Sequence, residues 1–253
     1  GPYGGAGGDW PDNPQRFAAL SWVAAAMARE GVQGWKPGIL HAHDWQAGFA
    51  PAYLAYHGAG GCRSVITVHN IAFQGWAPAA MLADLRLPGS AFHPGALEYY
   101  GGLSSLKAGL VTADRITTVS PRYAQELMRP EFGMGLQGVI QARAADVIGI
   151  LNGTDAVDFD QRRIDLAVWS PEIEAVNDYS VKDMAGKAAA RAALCAEFAV
   201  EAPGPLAIVV SRLTDQKGIA LLPEAVPAFI HAGGGLIVLG SGGLALEGAM
   251  QAL

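Results

Sequence analysis

An α/β fold built on parallel sheets is what this sequence predicts, and three observations predict it. Short β-branched runs, SVITV at 64–68, RITTV at 115–119 and VIGIL at 147–151, alternate with stretches of helical periodicity. Polar residues follow the end of each run. After an interval broken up by Asp, Arg and Pro, a second series begins with LAIVV and reaches GLIVL. Strands that alternate with helices build βαβ units, whose strands lie parallel. The bulk composition agrees: 253 residues, 51% hydrophobic and only 16% charged, suit one large globular domain or two modest ones.

Taken in order, the first element is a helix over Arg16–Glu30, with Phe17, Leu20, Val23, Ala24 and Met27 at helical spacing as its expected core face. Gly31 ends it. A short strand over Gly38–Ala42 comes next, and Asp44–His57 has a helical pattern. SVITV is a buried strand bounded by Gly61 and by His69-Asn70. Leu103–Ala113 is a helix and RITTV another strand. Ser120 and Pro121 then open a helix as N-cap and first residue. VIGIL is the fourth strand. From Thr154 to about Asp178 periodicity fails, which predicts a link. Lys182–Phe198 is an alanine-rich helix; LAIVV is a strand, Ile219–His231 a helix and GLIVL a strand. This last unit is too small to hold a core by itself and reads as the start of a second domain.

Several classes are excluded. A net charge of −6 argues against a broad nucleic-acid surface. Two distant cysteines, Cys62 and Cys195, have no metal-type spacing and suit a reduced compartment. No apolar run approaches the roughly 18 residues of a membrane span. The N-terminal GPYGGAGGDWPDN carries neither an initiator Met nor a signal-peptide pattern, and ALEGAMQAL stops inside a helical pattern. Both ends therefore read as cut, and the chain as a fragment.

In parallel sheets, ligands bind beyond the C-terminal ends of the strands. His43-Asp44, His69-Asn70, Ser120 and Asn152-Gly153 all fall at that edge. In ILHAHDWQAG, His41 and His43 share a face of the strand. A metal site from His41, His43 and Asp44 would need a fourth ligand, and no His/Cys/Glu cluster elsewhere offers one. His41 is expected to be a buried strand residue. Asp44, at the strand end, is favourably placed before a helix. In SRLTDQKG, at 211–218, Arg212 and Lys217 lie on a loop after a strand, and Gly218 is expected to open a helix. Two cations beside a helix N-terminus make an anion site, with Arg as a fork and Lys as a point charge. The alternative is a solvated basic loop.

SRLTDQKG resembles a motif of bacterial glycogen synthases and plant starch synthases. Further matches follow in family order along nearly the whole chain: DWPDNPQRFAALSW, HAHDWQAG, TVHNIAFQG, EYYGGLSSLKAGL, TTVSPRYAQE, EFGMGLQGVI, LNGTD and WSP. The resemblance implies the GT-B fold, two Rossmann-like domains with the active site in the cleft between them. Residues 1–155 would then be an incomplete N-terminal catalytic domain, 156–180 a linker, and 181–253 the start of the nucleotide-sugar-binding domain.

The implied activity moves glucose from ADP-glucose to the non-reducing end of an α-1,4-glucan, with retention. No cofactor or metal is implied beyond the nucleotide-sugar co-substrate, and no nucleic acid or membrane partner. The implied location is the bacterial cytoplasm, or a plastid in a plant. By the same resemblance Arg212 and Lys217 stabilise the departing diphosphate, and His69 positions the glucose. Asp44 bonds in the same pocket, with His43 beside it. Asn152 contacts sugar or acceptor, Tyr99 lines the glucan path or packs in a helix, and Gly218 belongs to the diphosphate loop.

The family's lysine-glycine-glycine motif would precede residue 1 and its glutamate motif would follow Leu253, so the fragment alone is expected to be inactive. The segment AVDFDQRRIDLA is longer than the family's usual link, and Gly243 stands where the family shows an acidic residue. Two rival functions remain: another GT-B sugar-nucleotide enzyme, such as a sucrose- or trehalose-forming transferase or an epimerase, and a non-catalytic glucan-binding remnant. A dehydrogenase fits poorly, since no GxGxxG follows the first strand.

Overall fold

The computed structural model describes residues 2–5, 8–153 and 182–253. The chain divides into two compact units, Gly1–Gly153 and Thr154–Leu253. The expected link at 156–180 lies outside the described residues.

The first unit starts with an antiparallel pair, β1 (Gly4–Gly5) and β2 (Gly8–Asp9). Then come α1 (Asn13–Glu30), β3 (Ile39–His43), α2 (Phe49–His57) and β4 (Arg63–Val68). A small antiparallel sheet follows, of β5 (Trp76–Pro78), β6 (Glu98–Tyr99) and β7 (Gly102–Ser104), in the order β5-β7-β6. The unit continues with α3 (Ser105–Thr112), β8 (Arg115–Thr118), α4 (Pro121–Glu126), α5 (Gln137–Ala142) and β9 (Val147–Gly149). The main sheet has the order β3-β4-β8-β9, and every neighbouring pair is parallel. In that register His43 stands opposite Thr67, and Thr67 opposite Thr117.

Alternation along the strands fixes which face is buried. Leu40 and Ala42 of β3, Ile66 and Val68 of β4, and Ile116 of β8 join a core with Phe49, Leu106 and Leu110 of the helices. The opposite alternation on β3 exposes Ile39, His41 and His43.

Four expectations are corrected. In α1 the buried residues are Asn13, Ala18, Ser21, Ala25 and Ala28, whereas Leu20 and Val23 are more than half exposed. The helix packs on α2 through its small side chains, which allow close approach. The helix expected from Asp44 begins at Phe49, after a 3₁₀ turn over Trp45–Ala47. There Gly48 lies against α3, and a Cβ at this position would come within 2.1 Å of the Ser105 carbonyl oxygen. Residues 102–104, expected as helix or its flank, form β7, and Ser104 then caps α3 by accepting from the Lys107 N–H at 3.0 Å. Tyr99 lies in a strand rather than a helix.

The second unit contains α6 (Ala185–Glu197), β10 (Leu206–Val210), α7 (Leu222–His231), β11 (Gly235–Leu239) and α8 (Leu244–Gln251). β10 and β11 pair in parallel, with Leu206 opposite Gly235. Ile219, Val226 and Ile237 are buried, yet Ile208, Val210 and Leu239 remain more than half exposed. No described helix is long and apolar enough to cross a membrane.

Candidate functional site

Because β3, β4, β8 and β9 run parallel and side by side, their C-terminal ends share one edge. His43-Asp44, His69-Asn70, Ser120 and Asn152 follow those ends in strand order. The roles of these residues differ sharply.

Asp44 ties the exits of β3 and β4 together. Its Oδ1 accepts from the His69 N–H at 2.7 Å and the Asn70 N–H at 3.2 Å, while its own N–H donates to the Thr67 carbonyl at 2.9 Å. Its backbone has φ 50° and ψ −163°, a region that non-glycine residues seldom occupy. The carboxylate therefore fixes the His69 loop through one oxygen. Oδ2 makes no hydrogen bond among the described residues.

Three imidazoles gather beside it. The His41 and His43 rings pack at a 31° tilt with centroids 4.3 Å apart, and His43 Nδ1 lies 3.0 Å from His69 Nε2. His41 is exposed rather than buried, contrary to expectation, because its face of β3 is the uncovered one. Its Nε2 lies 2.6 Å from Thr67 Oγ1, which in turn lies 2.6 Å from Thr117 Oγ1. The pKa of His43 is held below the usual histidine value by partial burial first, then by His41 and His69; Asp44 pulls the other way. Among the described residues no group of three or more His, Cys, Asp or Glu side chains forms a metal site.

Ser120 is a cap: its hydroxyl accepts from the Tyr123 N–H at 2.9 Å and opens α4. Tyr123 returns its own hydroxyl to the site loop, accepting from the Ile71 N–H at 3.1 Å. Asn152 is exposed at the same edge. The Tyr99 hydroxyl donates to the Met134 carbonyl and the ring packs against the core, so its polar atom has a structural partner.

A cavity of about 500 Å³, a size that suits a small organic ligand, is lined in part by Trp45, which follows Asp44, and by residues 72–76 of the loop after His69; Asp44, His43 and His69 themselves are not among its lining residues. Trp10, Phe17, Trp45, Phe73 and Trp76 line it, with Asp9, Asn13 and Gln74 among its polar groups. Flat aromatic faces mixed with amides and a carboxylate suit a ligand that is apolar on its faces and hydroxylated at its edges. Sequence reasoning did not select these aromatics, although Trp45 directly follows Asp44, and Phe73 and Trp76 follow His69 closely. Thr67 and Thr117 were also missed; strand alternation puts both on the face of His41 and His43.

In the second unit, Arg212 and Lys217 are exposed on the loop after β10, and neither forms an ion pair among the described residues. Gly218 does not open an α-helix. It is left-handed, at φ 73°, between two 3₁₀ turns, and α7 starts at Leu222. The expected anion site is thus a basic loop that enters α7 through a 3₁₀ turn. That loop is clamped to the one after β11: Leu213 N–H donates to the Ser241 carbonyl at 2.9 Å. A Cβ on Gly242 would come within 2.0 Å of the Leu213 oxygen.

Comparison with known proteins places the chain. Residues 1–142 match the family model described as starch synthase catalytic domain. A glycogen synthase of Cereibacter sphaeroides is 68% identical over the whole chain, which covers 51% of that relative. A glycogen synthase of Paracoccus denitrificans is 54% identical over 96% of the chain and 48% of its own length. The chain thus spans about half the length of these curated relatives. Among solved structures, the catalytic domain of starch synthase IV from Arabidopsis thaliana, bound to ADP and acarbose, is similar with a TM-score of 0.77 and 28% identity. That likeness covers 96% of this chain and 50% of the other, and it bears out the GT-B class. The strand-end cluster and its aromatic cavity therefore belong to a member of the starch synthase catalytic domain family.

Proposed function

We propose that the protein containing this chain transfers glucose from ADP-glucose to the non-reducing end of an α-1,4-glucan, with retention, as bacterial glycogen synthases do. One observation carries the reading for this chain: Asp44, His43 and His69 converge at the C-terminal edge of the parallel sheet, and the segments that follow Asp44 and His69 supply Trp45, Phe73 and Trp76 to an aromatic cavity. Names of relatives at up to 68% identity support the reaction class. The ADP and acarbose bound to the starch synthase neighbour support a nucleotide-sugar donor and a glucan-like acceptor.

In this reading the exposed Arg212 and Lys217 meet the diphosphate and stabilise the charge that grows on it as the glycosidic bond breaks. His69 meets the glucose through its ring and its backbone carbonyl. Asp44 holds the His69 and Asn70 backbone in place and offers Oδ2 to a sugar hydroxyl. Asn152 contacts the sugar or acceptor side, and Trp45 and Trp76 stack on glucan rings. Gly218 gives the basic loop its turn, and Tyr99 anchors the 134 segment.

The test is transfer of labelled glucose to glycogen by the full-length protein, with ADP-glucose and UDP-glucose in parallel and a chelator present. Transfer from ADP-glucose in chelator is the expected result. Small soluble products would point instead to a small-acceptor enzyme, and glycogen binding without transfer to a binding module.

A further inference from the structure

We propose that His43 is a positioning residue, whose ring holds the His69 imidazole in one orientation for the transfer. This rests on the reading of His69 given above and assigns His43 a task other than touching substrate.

The geometry is a side-chain chain that crosses three strands. Thr117 and Thr67 are cross-strand neighbours whose hydroxyl oxygens are 2.6 Å apart. Thr67 bonds His41 at 2.6 Å, the His41 ring packs at a tilt against His43, and His43 Nδ1 reaches His69 Nε2 at 3.0 Å. Strand period places His41 and His43 on one face, two residues apart, so β3 holds both rings rigidly. His69 follows β4 directly, and Asp44 fixes its backbone by the 2.7 Å bond to its N–H. Backbone and ring of His69 are therefore held by two adjacent residues, Asp44 and His43.

The bond also couples the protonation of the two rings. Between two neutral imidazoles only one proton can occupy the Nδ1–Nε2 contact, because two N–H groups would face each other and two lone pairs would repel. His69 Nε2 is engaged by His43, so Nδ1 is the ring nitrogen left for a ligand. A ring free to rotate would present the correct atom only part of the time, and turnover would fall without loss of substrate affinity.

The test compares His43→Leu with His43→Asn in the full-length protein. Both remove the imidazole ring and have nearly the same shape. Only Asn returns a polar atom near the position of Nδ1. His43→Leu is expected to lower kcat about tenfold, the worth of one hydrogen bond, with KM for ADP-glucose nearly unchanged. His43→Asn is expected to recover most of the loss. In a His69→Ala background, His43→Leu should have little further effect, since its action passes through His69.

Equal losses in Leu and Asn, an unchanged rate in Leu, or full additivity with His69→Ala would each overturn the role. A wild-type protein that transfers no glucose would overturn the functional reading and this role together. Active wild type with any of the other three results overturns the role alone.

Discussion

Asp44 shows how much one residue can be asked to do. Its positive φ costs on the order of 1–3 kcal/mol, and the strain persists because the Thr67 carbonyl and the N–H groups of His69 and Asn70 hold it from both sides. The strained residue sits beside the imidazoles and directly precedes Trp45 of the aromatic cavity, where fixed geometry matters most. Lys217 is the opposite case, an exposed cation on a short turn with no structural partner among the described ion pairs. Its charge is therefore free for a ligand. In the full-length protein Lys217→Ala is expected to lower kcat about a hundredfold or more, the scale for loss of one group stabilising transition-state charge. Circular dichroism should show an unchanged fold. An unaltered rate would leave Lys217 a solvated loop residue.

Among elements, two junctions hold the sheet and helices in register. Asp114 precedes β8 and grips the start of β4, accepting from the Ser64 N–H at 2.7 Å, the Ser64 hydroxyl at 3.0 Å and Arg63 at 2.9 Å. Burial alone raises its pKa, but these hydrogen bonds outweigh burial and hold the carboxyl below its ordinary value. A depressed folded-state pKa stabilises above the unfolded-state pKa, and that stability is lost as pH falls through the folded value. Asp114→Asn should therefore lower the urea midpoint at neutral pH, and the gap to wild type should close by about pH 3 or below. A gap independent of pH would remove the carboxylate from the account. The second junction is Gly48 against Ser105. Gly48→Ala is expected to cost about 1–3 kcal/mol by forcing α2 from α3, measured by urea unfolding. Its φ of −62° is ordinary, so the cost comes from contact and not from backbone strain.

At the scale of the molecule, the sheet was legible because β-branched runs and period-two alternation are local signals, and the polar rim because strand ends carry the ligands in parallel sheets. The buried face of α1 was not legible: close packing favours Ala18, Ser21, Ala25 and Ala28 over larger neighbours, which inverts the usual hydrophobic stripe. Nor was the task of Asp44, since its partner His69 is 25 residues away in sequence and meets it only through the β3–β4 pairing. The helix expected at Gly218 failed because a left-handed glycine between 3₁₀ turns delays α7 to Leu222. The central claim is that the cluster around His69 performs glucosyl transfer. Its most direct test is steady-state transfer from ADP-glucose to glycogen by the full-length protein and its His69→Ala variant, with melting temperature as the fold control. A fall in kcat of about a hundredfold or more, with KM for glycogen nearly unchanged and the fold intact, is expected. A His69→Ala variant with wild-type kcat would contradict the claim.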